Sequence, residues 1–225
     1  MTTIRNIILL LAVLNGIFAA EGVADMTHNG FSLSPLENRI NFIIPDYQLK
    51  ENTIGGVDYS KPEIEGAGSI AQPGQPDLPS VSTYYMVEPG KTFDVQYTIE
   101  DYEVIDNIDL LPFSGWDNNQ IPTDDKSEVY VNDLPFPNEI VQISEPIVFR
   151  DVSMVQVTLT PFQFNPVANT LKVIKNVSLD IIEQDEGDTP FIPRKISRDF
   201  EAMYKSLIVN YPSRTRDDDE YQRPS

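Results

Sequence analysis

The 225-residue chain contains no cysteine, one histidine and one tryptophan. Without cysteine no disulfide staples the fold, and no thiolate can act as nucleophile or soft metal ligand. The lone histidine, His28, lies beside Asn29-Gly30 in a weakly patterned stretch. A histidine-dependent triad or a zinc site therefore has almost no material. No serine sits in a G-x-S-x-G elbow, and no glycine-rich phosphate loop exists. Positive charge is scarce as well: 16 Lys and Arg against 35 Asp and Glu leave a formal net charge of −19. From Pro62 to Leu171 the acids outnumber Lys91, Lys126 and Arg150 several-fold. Such a surface repels phosphate backbones, which excludes nucleic acid as a partner. It reads either as a solvated coat or as a face complementary to a basic partner.

The abundant carboxylates do not announce chemistry. Asp106-Asn107-Ile108-Asp109, Asp117-Asn118-Asn119 and Asp124-Asp125 offer oxygen ligands, but the spacing of an EF-hand loop is missing, so calcium is not expected. No pair of acids is singled out for glycoside hydrolysis. No metal, cofactor or catalytic residue is expected.

Long apolar runs are also missing. Ile7–Leu14 is unbroken, but about 18 or more such residues are needed to span a membrane. Arg5 precedes this run, and Ala19-Ala20 closes the segment behind it. A basic start, a short apolar centre and a small-residue exit describe a secretory signal peptide over 1–24, cut after Ala20 or Ala24. The competing reading is a buried N-terminal helix. With no second apolar segment, the mature product is expected to be secreted or held at the cell surface, with no transmembrane segment.

Residues 25–39 carry little pattern and read as a mobile lead-in. Asn41–Pro45 and Tyr47–Lys50 look like short strands broken at Pro45. Residues 51–79 are rich in glycine and proline and read as loop. From Ser80 the period becomes two. Ser80–Val87 and a second run over Phe93–Glu100 flank Glu88-Pro89-Gly90, which predicts a hairpin. In the second run Phe93, Val95, Tyr97 and Ile99 alternate with Asp94, Gln96, Thr98 and Glu100. Residues 106–138 are irregular, with strand-like pieces at Ile108–Leu111 and Glu128–Val131. Strands resume at Glu139–Ile143, Ile147–Arg150, Val152–Thr160 and Leu171–Ile182, with a turn-rich connection over 161–170. Pro161, Asn165 and Pro166 shape that turn and set the register on either side. Arg150-Asp151, between strands, reads as structural.

The C-terminal part differs in kind. Phe200, Met203, Tyr204, Leu207, Ile208 and Tyr211 recur on one helical face, with Ser197 as N-cap and Pro212 as stop. Residues 213–225 are charged and predicted to be disordered. The sum is an all-β fold, an antiparallel β-sandwich over 40–212 with one short C-terminal helix and a disordered tail.

Four pieces in order carry a family resemblance. They are GQPDLP (74–79), FPNEIVQISEPIVFRDV (136–152), TPFQFNPVANTLKV (160–173) and FEAMYKSLIVNY (200–211). Together they resemble the propeptide domain of the gingipain family, exported caspase-like cysteine peptidases; Phe164 stands where that domain usually has tyrosine. The resemblance implies a non-catalytic β-sandwich pro-domain that covers the active-site cleft of the peptidase domain downstream in the precursor. It would keep that partner latent and assist its folding until clipped off. It also implies processing after the closing helix, where Arg214 and Arg216 stand. Members specific for basic residues are held latent by a basic side chain inserted into the specificity pocket. Between Leu111 and Phe136 this chain offers only Lys126, with Trp116 and Asp117 nearby. Three readings follow: Lys126 is the plug, Trp116 anchors a peptidase of other preference, or the domain chaperones without plugging. A stand-alone adhesive or ligand-binding β-sandwich at the cell surface is the alternative from another class.

Overall fold

The computed structural model describes residues 29–34, 39–115, 125–186 and 198–212. Strands dominate the described residues, in keeping with the alternating sequence, and one seven-residue helix closes them.

The longest strand organises the first sheet. Thr170–Glu186 (β12) buries Leu171, Val173, Ile174, Val177 and Leu179 completely. On one edge it pairs with Lys91–Asp106 (β7) along almost its whole length. On the other edge it takes Phe162–Asn165 (β11) and then Arg39–Ile43 (β2), which in turn pairs with Phe31–Ser34 (β1). Every one of these pairings is antiparallel. In β7 the expected alternation holds: Phe93, Val95, Tyr97 and Ile99 are half-buried and their neighbours exposed.

The second sheet is built on Val152–Leu159 (β10). It pairs with Pro79–Met86 (β6) on one side, and with Ile147–Phe149 (β9) and Val141–Ile143 (β8) on the other. Gly68–Ser69 (β5) meets only the start of β6. Val81, Val141, Val157 and Leu159 from this sheet join Phe42, Phe162, Phe164, Leu171 and Leu179 from the first in one core. Each such side chain, fully buried, contributes about 1.5–3 kcal/mol. The all-β class is therefore as the sequence implies.

Several local expectations are corrected. Residues 51–79 are not simply loop: Tyr47–Ile54 (β3) and Val57–Ile64 (β4) form a hairpin. Its turn is Gly55-Gly56, both left-handed at φ +61° and +84°, the arrangement a two-residue turn demands. The connection over 161–170 contains β11, whose Phe162 and Phe164 are wholly buried; Asn165 Oδ1 accepts the Val167 and Ala168 N–H groups to shape the turn behind it. β6 and β7 do not form the expected hairpin. The Pro89-Gly90 turn instead carries the chain from one sheet to the other: β6 pairs with β10, of equal length, and β7 with β12. Glu128–Val131 is a 3-10 turn, not a strand. The stretch read as a lead-in supplies β1, pinned by Phe31 against Phe42 at 5.0 Å.

The helix is shorter than its periodicity suggests. A 3-10 turn over Arg198–Phe200 leads into Glu201–Leu207 (α1), and Ile208 is already extended. The Ile208 N–H still donates to Tyr204 O at 2.9 Å, but the Val209 N–H goes to Tyr84 O on β6, and the helix stops there. Ser197, expected as N-cap, lies outside the described residues.

Candidate functional site

The region between Leu111 and Phe136 is anchored by the 74–79 motif. Gly74 adopts φ +84°, and its N–H donates to Phe113 O at 2.8 Å while its own carbonyl accepts the Ser127 N–H at 2.8 Å. Phe113 N–H donates to Gln75 O at 2.7 Å, and Asp77 N–H to Leu111 O at 3.0 Å. One short motif thus holds the outgoing chain at 111–113 and the returning chain at 127. A Cβ on residue 74 would stand 3.2 Å from Ser127 N and 3.3 Å from Asp125 O, so the left-handed backbone favours glycine and the space for a side chain is tight. Below this, Asp77 is almost buried and pairs with Lys61 at 2.8 Å.

Lys126 stands at the returning end. Its ammonium lies 2.8 Å from Asp109 Oδ2 and over the rings of Tyr59 and Tyr130, at 5.0 and 4.8 Å from their centroids. Tyr130 in turn donates its phenol to Leu110 O at 2.8 Å. Burial first, and then the Asp109 charge, push the Tyr130 hydroxyl far above its ordinary range, so it stays a neutral donor. The cluster is a clasp: it fixes an ammonium in place and presents no nucleophile beside a base. Trp116 and Asp117, named with Lys126 from the sequence, lie outside the described residues. So do Ala20, Ala24, His28, Arg214 and Arg216.

A second constellation joins the closing helix to the sheet. Arg150 and Asp151 form the two-residue turn between β9 and β10, and Arg150 is held at φ +59°. Its guanidinium lies 3.8 Å from the centre of the Phe200 ring, and Asp151 accepts the Tyr204 hydroxyl. Burial, and then that carboxylate, push the Tyr204 phenol up to about 12. The structural reading of Arg150-Asp151 thus acquires a definite partner, the C-terminal segment.

The role of Gly74 is not evident from the GQPDLP motif alone, although a glycine beside prolines signals a special backbone conformation. Neither is that of Asn210, whose side-chain amide bonds both backbone groups of Met86. A polar residue inside an apolar helical pattern was the available sign. Among the described residues no group of His, Asp or Glu is arranged to hold a metal ion.

Comparison with known proteins matches this architecture. Gingipain R2 of Porphyromonas gingivalis is 26% identical over 183 residues, which cover 77% of this chain and 25% of that protein. The chain thus spans about a quarter of the length of that relative. Among solved structures, one of the complex of the pro- and mature domains of RgpB from Porphyromonas gingivalis superposes with a TM-score of 0.68 at 25% identity. It covers 82% of this chain and 100% of the matched one. A structure concerned with the zymogenic latency of gingipain K from the same organism shares the fold, with a TM-score of 0.52 at 21% identity, covering 64% and 85%. The Propeptide_C25 family profile matches residues 36–213, running from just before β2 to just past the closing segment, and the chain belongs to that family of gingipain propeptides.

Proposed function

We propose that this propeptide covers the active-site cleft of a gingipain-like cysteine endopeptidase, keeping it latent and assisting its folding until it is cut away. The observation that carries this reading is that the likeness to the RgpB chain extends over all of that chain, in a complex of pro- and mature domains. The strongly acidic composition suits a face complementary to a basic partner.

The segment that Gly74 staples at both ends is the part that enters the cleft. Lys126 is already committed to Asp109 and two tyrosine rings, so it serves as the root of that segment. Trp116, beside Asp117, is the anchor, since a large aromatic supplies much of the buried area at a docking site. Release follows cutting at Arg214 or Arg216. The precursor is exported by the signal over 1–24, cut after Ala20 or Ala24, to the exterior or the cell surface. Among the described residues no helix is long and apolar enough to cross a membrane.

The test is titration of a gingipain-type peptidase with the purified propeptide. Peptidase activity falls to a minimum at one equivalent, and the two proteins co-elute. Unchanged activity with no complex rejects the reading. Trp116→Ala weakens inhibition, whereas K126M leaves it within a few fold; the reverse order would make Lys126 the plug.

A further inference from the structure

Strand β6 has an open edge. On one side it pairs with β10 from Val81 to Met86, but on the other β5 meets only Pro79 and Ser80. Open edges are peptide-binding surfaces, since their unpaired N–H and C=O groups accept an added strand. Here the edge beyond β5 is met at the Ser82 carbonyl by the Asn29 side chain, and from Tyr84 onward by the chain's own C-terminal segment. Ile208 bridges Tyr84 in parallel, and the Val209 N–H donates to Tyr84 O at 2.9 Å. At the next open position the Asn210 side chain replaces a backbone. Met86 N–H donates to Asn210 Oδ1 at 2.6 Å, and Asn210 Nδ2 donates to Met86 O at 2.9 Å.

The rest of the segment anchors around this pairing. Tyr204 and Ile208 are buried with Val152 and Met154 in a cluster separate from the main core. Phe200, Tyr204 and Tyr211 pack in sequence as tilted ring pairs, at 6.4 and 5.6 Å between ring centres. Phe200 carries the Arg150 guanidinium, and Tyr204 donates to Asp151. Left-handed backbone is unfavourable for arginine, so the Arg150 turn persists where surrounding contacts determine it, and two of those contacts are to this segment. These polar contacts all fall on β6 and on the β9–β10 turn.

We propose that residues 198–212 are a docking peptide bound to the β6 edge, whose attachment does not depend on the covalent connection through 187–197. A chain cut within 187–197 stays joined at β6, and so does whatever follows Pro212. A cut beyond Pro212 lets the following protein go. If the propeptide restrains a peptidase as proposed above, the place of the cut decides release; only that consequence rests on the earlier reading.

The experiment needs no peptidase. A reporter protein is fused after Ser225, and a recognition sequence for a site-specific protease is placed either within 187–197 or within 213–225. After complete cutting within 187–197 the two fragments co-elute in gel filtration; after cutting within 213–225 the reporter elutes alone. Asn210→Ala and Tyr204→Phe, cut within 187–197, each raise the dissociation constant of the fragments about tenfold, as expected for two half-buried hydrogen bonds lost in the first and one to a carboxylate lost in the second. The uncut variants are followed by circular dichroism, and the less damaging Tyr204→Phe decides if Asn210→Ala does not fold. Separation of the wild-type fragments after cutting within 187–197 would overturn the proposal. So would retention that both variants leave unchanged.

Discussion

The core around β12 and the helix-bearing edge of β6 are held together by different physics. On its buried face β12 packs against apolar side chains, with Phe162, Phe164, Leu171, Val177 and Leu179 inaccessible to water, while its ion pairs to Arg39, Lys91 and Glu103 lie at the half-exposed surface. At the β6 edge a small cluster of Val152, Met154, Tyr204 and Ile208 is fixed in place by Asn210, Asp151 and Arg150. The first region gains stability from area and belongs to one cooperative unit. The second gains direction from a few polar contacts, and regions of that kind open locally at lower cost than the whole.

The largest expected effect tests the body. Phe164→Ala removes a wholly buried ring and costs about 3–5 kcal/mol. Urea unfolding should show one transition moved to lower denaturant, with strands and C-terminal segment lost together. Two separated transitions would mean that the regions are already independent in the intact chain.

Gly74→Ala comes next. A left-handed φ and contacts of 3.2–3.3 Å to the returning backbone predict a loss of about 1–2 kcal/mol. The same substitution should weaken inhibition of a peptidase while leaving retention at the β6 edge intact. An equal effect on both would erase the distinction between the stapled segment and the edge.

Alkali should loosen both regions, and the share of the C-terminal segment should trace to one group. The Tyr204 phenol is pushed from 10.0 up to about 12 in the folded protein, by burial and then by Asp151. Between those values the unfolded chain has lost the proton that the folded chain keeps, so folding loses support as pH rises. The contribution is complete below pH 10 and fades toward 12. The main core holds the Tyr130 phenol protonated still further into alkali and so loses support over the same range. Tyr204→Phe should therefore flatten the fall in amide protection at Ile208–Asn210 while leaving that of β12 unchanged. A fall at Ile208–Asn210 that Tyr204→Phe does not alter would contradict it.

The smallest effect belongs to Lys126. Its partner Asp109 and its own side chain are each about a third exposed. Lys126→Met should cost less than about 1 kcal/mol in thermal unfolding, since exposed ion pairs contribute little. A larger loss would make the clasp a structural keystone, not a root for the segment beside it.

Where one face of a strand meets water, the alternation was legible, as in β7 and β10. Where the chain is buried through turns, it was not. Phe162 and Phe164 sit among prolines and asparagines that read as turn, yet they enter the core as β11. Gly55-Gly56 is a hairpin signal that the general abundance of glycine in 51–79 concealed. The helical pattern of 200–211 holds for about two turns; beyond it an open strand edge offers the Val209 N–H a partner outside the helix. In the candidate site, Lys126 was visible as the one basic residue of its region, but its clasp depends on Asp109, Tyr59 and Tyr130, which are remote or unmarked in sequence.

By itself the sequence determined the all-β class, the lack of cysteine chemistry, the acidic character and the family, because period-two patterning, composition and ordered motifs are local properties. Tertiary structure alone decided which strands pair, that Gly74 staples two distant stretches, and that Asn210 completes the edge of β6. Those outcomes come from competition among partners far apart in the chain, and no local pattern records who wins.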